Sequence, residues 1–210
     1  MWGWGLCCGE IGALRASGAA PAALPSIVHG YREGLAVETM VLVGALVTSI
    51  GYHVARTMSA RVLGLTPVQW RVADIYVAHV MFVLMAIHLH GLARGLRRLL
   101  LAVLPGTIGV AFAVIGISPI FLLTVVMPAV GSVAVRAAMS GGLAGMGVDA
   151  AAFRRAMAPS VVSGAALALS GIFPQHYDVW HSLWHCAAGL ASYRIFVARR
   201  VPKRSGRSSP

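Results

Sequence analysis

Apolar residues in this 210-residue chain gather in blocks of about twenty, without the period-2 alternation of half-buried strands or the narrow apolar stripe of soluble amphipathic helices. About 20 apolar residues, rising 1.5 Å each, cross the hydrocarbon core of a bilayer. Five segments predict such spans: Leu35 to Ala55, Val72 to Leu92, Leu99 to Ile117, Ile120 to Met139 and Val179 to Val197. A sixth runs from Ala156 to Phe173, where Ser160, Ser163, Gly164, Ala165 and Ala166 would let helices pack closely in lipid. Ile11 to Gly30 is an irregular candidate for a first span, interrupted by Arg15, Pro21 and Pro25. A cleaved signal peptide competes for that stretch, yet the start MWGWGLCCGE has no basic n-region and carries Glu10 where an apolar core belongs. The expectation is an all-α, polytopic seven-transmembrane-helix bundle forming one domain over residues 1–199. The basic, Ser/Gly-rich residues 200–210 would then form a disordered tail.

Composition sharpens this. With 58% hydrophobic and 11% charged residues and a mean hydropathy of +0.79, the chain carries more apolar surface than a soluble domain of this size can bury. Three cysteines, Cys7, Cys8 and Cys186, are too few and too scattered for a disulfide framework or a cysteine-rich metal finger. The net charge of +11 would suggest nucleic acid in a soluble chain. Here the basic residues lie between and after the apolar blocks, so they read as topology and attraction to anionic lipid, with no nucleic-acid partner. With seven spans, thirteen Arg and Lys residues fall on one side (Arg32, Arg94, Arg97, Arg98, Arg136, Arg154, Arg155, Arg194 and those from Arg199 onward). Only Arg15, Arg56, Arg61 and Arg71 fall on the other. That bias places the C-terminus in the cytosol and the N-terminus outside or in a lumen, in the plasma membrane or an endomembrane.

Ionisable groups within spans are costly and mark functional candidates. In the second span ALVTSIGYH places Ser49 and His53 four residues apart, on one face near the helix end. The third opens with RVADIYVAH, setting Asp74 in its first turn, and the last opens with YDVWHSLWH, setting His181 and His185 four apart on one face. By the charge bias these five residues share a leaflet. Three neutral imidazoles and a water complete a tetrahedral zinc site, the arrangement of catalytic rather than structural zinc. The alternative is that the histidines sit at the interface, bonding headgroups or carbonyls.

The remaining polar residues read more simply. His88 and His90 are expected at the cytosolic interface, and His176 in a solvated loop. His79 would lie deeper, with Asp178 serving as a helix N-cap or as an acceptor orienting His181. Glu38 lies fifteen residues before His53, about 22 Å along a helix, so it would pair with Arg32 or another basic residue instead of joining the site. Tyr177, Trp180 and Trp184 read as interfacial belt and packing, and Cys186 as a small buried thiol.

An S-x3-H pair ending the second helix, an Asp opening the third and an H-x3-H pair in the last resemble the superfamily of seven-helix membrane hydrolases that contains alkaline ceramidases and adiponectin receptors. Within it, YREGLAVETMV leading to SIGYH, and SGIFPQHYDVWHSLWHCAAGLASY, look most like the myomaker branch, which includes a GPI-anchor phospholipase. The similarity covers about residues 31 to 92 and 156 to 197, and the middle by hydropathy alone. It implies seven helices, an external N-terminus and zinc on His53, His181 and His185. In that resemblance Asp74 would hold or deprotonate the zinc water and Ser49 would hydrogen-bond nearby. The cysteine-rich lipidated tail of myomaker and the large extracellular domain of the phospholipase have no counterpart among these motifs, so neither role carries over.

Two functions follow. One is a zinc-dependent lipid amidase or esterase, with an acyl-chain substrate entering sideways from the membrane. The other is a non-enzymatic, myomaker-like protein that binds lipid or promotes adhesion or fusion, with zinc as a structural clasp. Transport is disfavoured because Leu99 to Met139 holds no ionisable residue before Arg136. A cavity leading from the metal to lipid would mark the enzyme, and a closed, fully packed site the clasp.

Overall fold

The computed structural model describes residues 22–116 and 122–199. Among these the chain is all-α, with seven α-helices: α1 (residues 22–32), α2 (Ala36–Met58), α3 (Pro67–His90), α4 (Arg94–Ile115), α5 (Met127–Met139), α6 (Ala150–Ile172) and α7 (Tyr177–Ala198). Four of them, α2, α3, α4 and α6, are long and apolar enough to cross a membrane, and the protein is an integral membrane protein. Helix α7 has 22 residues but carries Asp178, His181, His185 and Arg194. Helix α5 is a shorter apolar helix that continues a π-helical turn over Leu122–Val126. Residues 11–21 of the expected first span and the expected tail at 200–210 lie outside the described residues.

Helix α3 is the hub. It buries twelve side chains against three in α4, and it packs on α2, α4, α5 and α7. The α6–α7 pair forms the most extensive helix contact and α2–α3 the next. Ser26 fastens α1 to α7 through its hydroxyl, which donates to the Gly189 carbonyl at 3.1 Å. Gly189 keeps the two backbones close, because a Cβ there would come within 2.8 Å of Ala22.

Helices α3, α4 and α6 begin five or six residues earlier than hydropathy alone predicts. Helix α3 starts at Pro67, fixed by a capping box in which Thr66 accepts from the Gln69 backbone N–H at 3.2 Å and Gln69 Oε1 accepts from the Thr66 N–H at 2.9 Å. Asp74 therefore sits two turns into the helix, not in its first turn. Helix α6 starts at Ala150, where Asp149 caps the N–H groups of Ala151 and Ala152 at 2.8 and 2.9 Å. Arg154 and Arg155 accordingly ride on an exposed helical face and not in a loop. Helix α3 ends at Gly91, whose φ of +60° suits a residue without Cβ. There the Arg199 guanidinium donates to the Leu89 and Met146 carbonyls at 2.6 and 3.1 Å.

The approach of α2 to α3 depends on Gly51. A Cβ there would stand 2.5 Å from the Trp70 ring, which is buried and held by its indole N–H donating to the Val62 carbonyl at 2.9 Å. Gly51→Ala is expected to push the helices apart, at about 1–3 kcal/mol for overpacking. It would lower the melting temperature in detergent and weaken metal retention by His53, two residues on. An unchanged melting curve would show that this helix contact does not set the site.

Candidate metal centre

Three helices bring the sequence-predicted residues together at one end of the bundle. His53 lies near the end of α2, Asp74 two turns into α3, and His181 and His185 on successive turns of α7. One ligand atom from each of His53, His181 and His185 lies within 4.8 Å of the others, and no other group of three such side chains that could hold a metal occurs among the described residues. The Nε2 atoms of His181 and His185 are 3.1 Å apart. The His53 ring lies 5.4 and 5.5 Å, centroid to centroid, from those of His181 and His185. Ser49 places its hydroxyl 3.2 Å from His185 Nε2. Asp74 Oδ2 stands 3.6 Å from His185 Nε2 and 3.7 Å from His181 Nε2, beyond hydrogen-bond reach.

This arrangement fits a cation. His53, Asp74 and His181 are each under 8% exposed, and His53 Nε2, Asp74 Oδ2 and His181 Nδ1 are buried without a hydrogen-bond partner. Orphaned buried polar atoms each cost about 1–3 kcal/mol, and interfacial histidines bonded to headgroups would not be turned inward on one another. Three imidazole nitrogens beside a carboxylate form a donor set that suits zinc and leaves it one ligand short of four. The residues predicted from the sequence thus meet, with Ser49 and Asp74 beside them.

Several surrounding residues behave differently from expectation. Asp178 caps nothing and does not orient His181. It sits in the first turn of α7 and pairs with Arg56 at 3.3 Å. Arg56 Nη1 donates to the Tyr52 hydroxyl at 2.8 Å, and that hydroxyl donates to Tyr177 at 3.3 Å. The Arg56 guanidinium also lies 4.4 Å from the centre of the Tyr177 ring, which in turn stacks on His181 at 4.7 Å. This network across α2 and α7 covers the histidines, and the sequence reading missed it. The signal available was Arg56 and Asp178, opposite charges each three residues from a predicted ligand. Trp184 fulfils the packing part of its expected role: it is 3% exposed and its ring lies 4.9 and 4.2 Å from those of His181 and His185.

Other expectations divide. His88 is buried within the bundle. It is 3% exposed, with Nε2 3.3 Å from the Phe196 carbonyl, because α7 covers that end of α3. His90 does lie near the surface, 2.8 Å from the Ser132 hydroxyl. His79 turns toward α4, with Nδ1 2.7 Å from the Ile75 carbonyl and its ring facing Phe112. Cys186 is half-buried and outside the ligand group. Glu38 takes a basic partner as expected, Arg97 on α4 and not Arg32, and its carboxylate is fully buried.

A small cavity of about 50 Å³ adjoins Ser49, Asp74 and His185, with walls from Leu46, Ile50, Ala78, Met81 and Ala188. It is apolar apart from those three side chains and has room for a few water-sized groups. The family described as "Protein of unknown function (DUF3522)" matches residues 17–186, most of the chain and all five site residues, and the chain belongs to that family. No curated protein matches it.

Proposed function

For this DUF3522 protein, we propose a zinc-dependent lipid hydrolase, an amidase or esterase, whose site lies within the membrane. The observation that carries the reading is the convergence of two buried histidines and a part-buried third beside a buried carboxylate whose Oδ2 has no hydrogen-bond partner. Zinc held by His53, His181 and His185 would supply Lewis acidity, polarising an acyl carbonyl and acidifying water. Asp74, on the same side of the cluster, accepts the proton of the attacking water. The water oxygen bonds to the acyl carbon, the bond to the leaving oxygen or nitrogen breaks, and Asp74 passes its proton to the leaving group. Ser49 donates a hydrogen bond beside His185. The small cavity next to Asp74 has room for the reacting carbonyl and the first carbons beside it, and the likeness of the motifs to the seven-helix hydrolases supports this assignment.

The test is comparative lipidomics of membranes carrying wild-type protein or His181→Ala. A lipid class that accumulates in the variant, with its free acid depleted, identifies the substrate. Identical lipid profiles would favour the second reading, a metal clasp in a lipid-binding or fusion protein, for which the small size of the cavity and the Arg56–Asp178 cover speak.

The proposal includes seven spans, with the N-terminus outside and the C-terminus in the cytosol, from the thirteen-to-four bias of basic residues. A tag at Pro210 is expected to be protease-accessible from the cytosol and a tag within 57–69 from the opposite side. Both tags on one side would overturn the topology.

A further inference from the structure

At the end of the bundle away from the histidines, a cavity of about 490 Å³ lies between α3, α4 and α5. The wall residue on α3 nearest Asp74 is Val83, nine residues or about 14 Å along the helix, and the cavity shares no lining residue with the metal centre. Its lining is mainly apolar and includes Ile87, Leu100, Leu104, Ile108, Ala111 and Val125. Helices α4 and α5 each pack on α3 but hardly on one another, so the cavity is a groove opening sideways between them. Its lining extends from Leu96 to Ala111 along α4, about 22 Å, against about 15 Å for the hydrocarbon of one leaflet, half of the ~30 Å core. The groove is therefore more than long enough for a single acyl chain, and its apolar lining suits one.

The mouth of the groove says what is attached to the chain. His90 and Ser132, joined at 2.8 Å, form its polar rim. Arg136 is one turn beyond Ser132 and exposed. Arg136 and Arg199 are within electrostatic range of His90, and Arg97 and Arg136 within range of Arg199. Two of these cations are already engaged, Arg97 by Glu38 and Arg199 by the Leu89 and Met146 carbonyls. Among the described residues no carboxylate pairs with Arg136. Arg136, without a carboxylate partner and close to the Arg199 charge at the rim of an apolar slot, is suited to an anion that carries a hydrocarbon tail.

We propose that this groove binds an anionic phospholipid, with one acyl chain between α4 and α5 and the phosphate on Arg136, beside the His90–Ser132 rim. The site is independent of the metal centre and of any hydrolysis there.

Native mass spectrometry of the full-length, zinc-loaded protein, exchanged into micelles holding equal phosphatidylglycerol and phosphatidylcholine, tests this directly. One phosphatidylglycerol per chain is expected to be retained in preference to phosphatidylcholine. Arg136→Gln, an exposed change outside the core, should cut that preference about fivefold, the effect of one basic residue at a lipid surface, while zinc content stays at the wild-type level. Ala111→Phe, which fills the groove, should displace the lipid. Equal retention of the two lipids by wild type, or an undiminished preference in Arg136→Gln, would overturn the proposal. So would a lipid-free dimer, which would mean that a second copy covers the groove, or displacement by inorganic phosphate alone, which would mean that the acyl chain contributes nothing.

Discussion

Alanine at His53, His181 or His185 is expected to strip the purified protein of most of its zinc, whereas alanine at His88 is not. The three residues supply every nitrogen of the donor set, so each change leaves two protein ligands. Losing a ligand should cost more than the roughly 10- to 100-fold in affinity that follows loss of a supporting residue. Metal binding adds to stability by mass action, about 2.7 kcal/mol when free zinc is 100 times its dissociation constant. The three variants should therefore lose most of the upward melting shift that zinc gives wild type, roughly 5–10 °C for a chain of this size. His88 separates metal from packing: its ring is buried against Phe196 at 5.0 Å, so His88→Ala should melt lower yet keep its zinc. Elemental analysis and melting curves with and without chelator check both halves. Zinc retention in His181→Ala equal to that in His88→Ala would remove the assignment.

Asp74→Asn should abolish lipid hydrolysis while leaving the zinc in place. A positioned proton acceptor contributes typically about 10²- to 10⁴-fold in rate, and an asparagine of nearly the same shape keeps the packing but cannot take the proton. Asp74 Oδ2 lies 3.6 and 3.7 Å from two ligand nitrogens, so its loss should weaken the metal by no more than about 10- to 100-fold, which saturating zinc overcomes. Ser49→Ala removes one neutral hydrogen bond, worth about 0.5–1.5 kcal/mol, and should slow turnover by about tenfold or less. Fatty-acid release by zinc-saturated protein measures both. Equal release from wild type and Asp74→Asn would take the proton-transfer role away from this carboxylate.

Much of this was legible in the sequence, for physical reasons that can be named. Membrane-length apolar blocks located the long helices, and i, i+4 spacing on α2 and α7 put Ser49 with His53 and His181 with His185 on single faces. The charge bias then placed all of them, with Asp74, at one end. Helix starts were less visible, because the residues that fix them, Thr66 with Gln69 and Asp149, are polar and lower the hydropathy where the helix begins. What could not be read were pairings across distant helices. The burial of His88 under Phe196, the Arg97–Glu38 pair and the Arg56–Asp178–Tyr177 cover link positions 59 to 125 residues apart, and no periodicity records them. Asp178 shows the consequence: its place at the start of a helix suggested a cap, and only the neighbouring end of α2 reveals Arg56 as its partner.

The central claim is a three-histidine zinc centre left one protein ligand short. X-ray absorption at the zinc edge of the loaded, membrane-extracted protein tests it most directly. The expected spectrum has three histidine nitrogens at about 2.0–2.1 Å and one light oxygen ligand, reverting to a weakly ordered or absent signal in His181→Ala. A zinc ion with sulfur in its shell, or one with four histidine or carboxylate ligands from the protein, would contradict it.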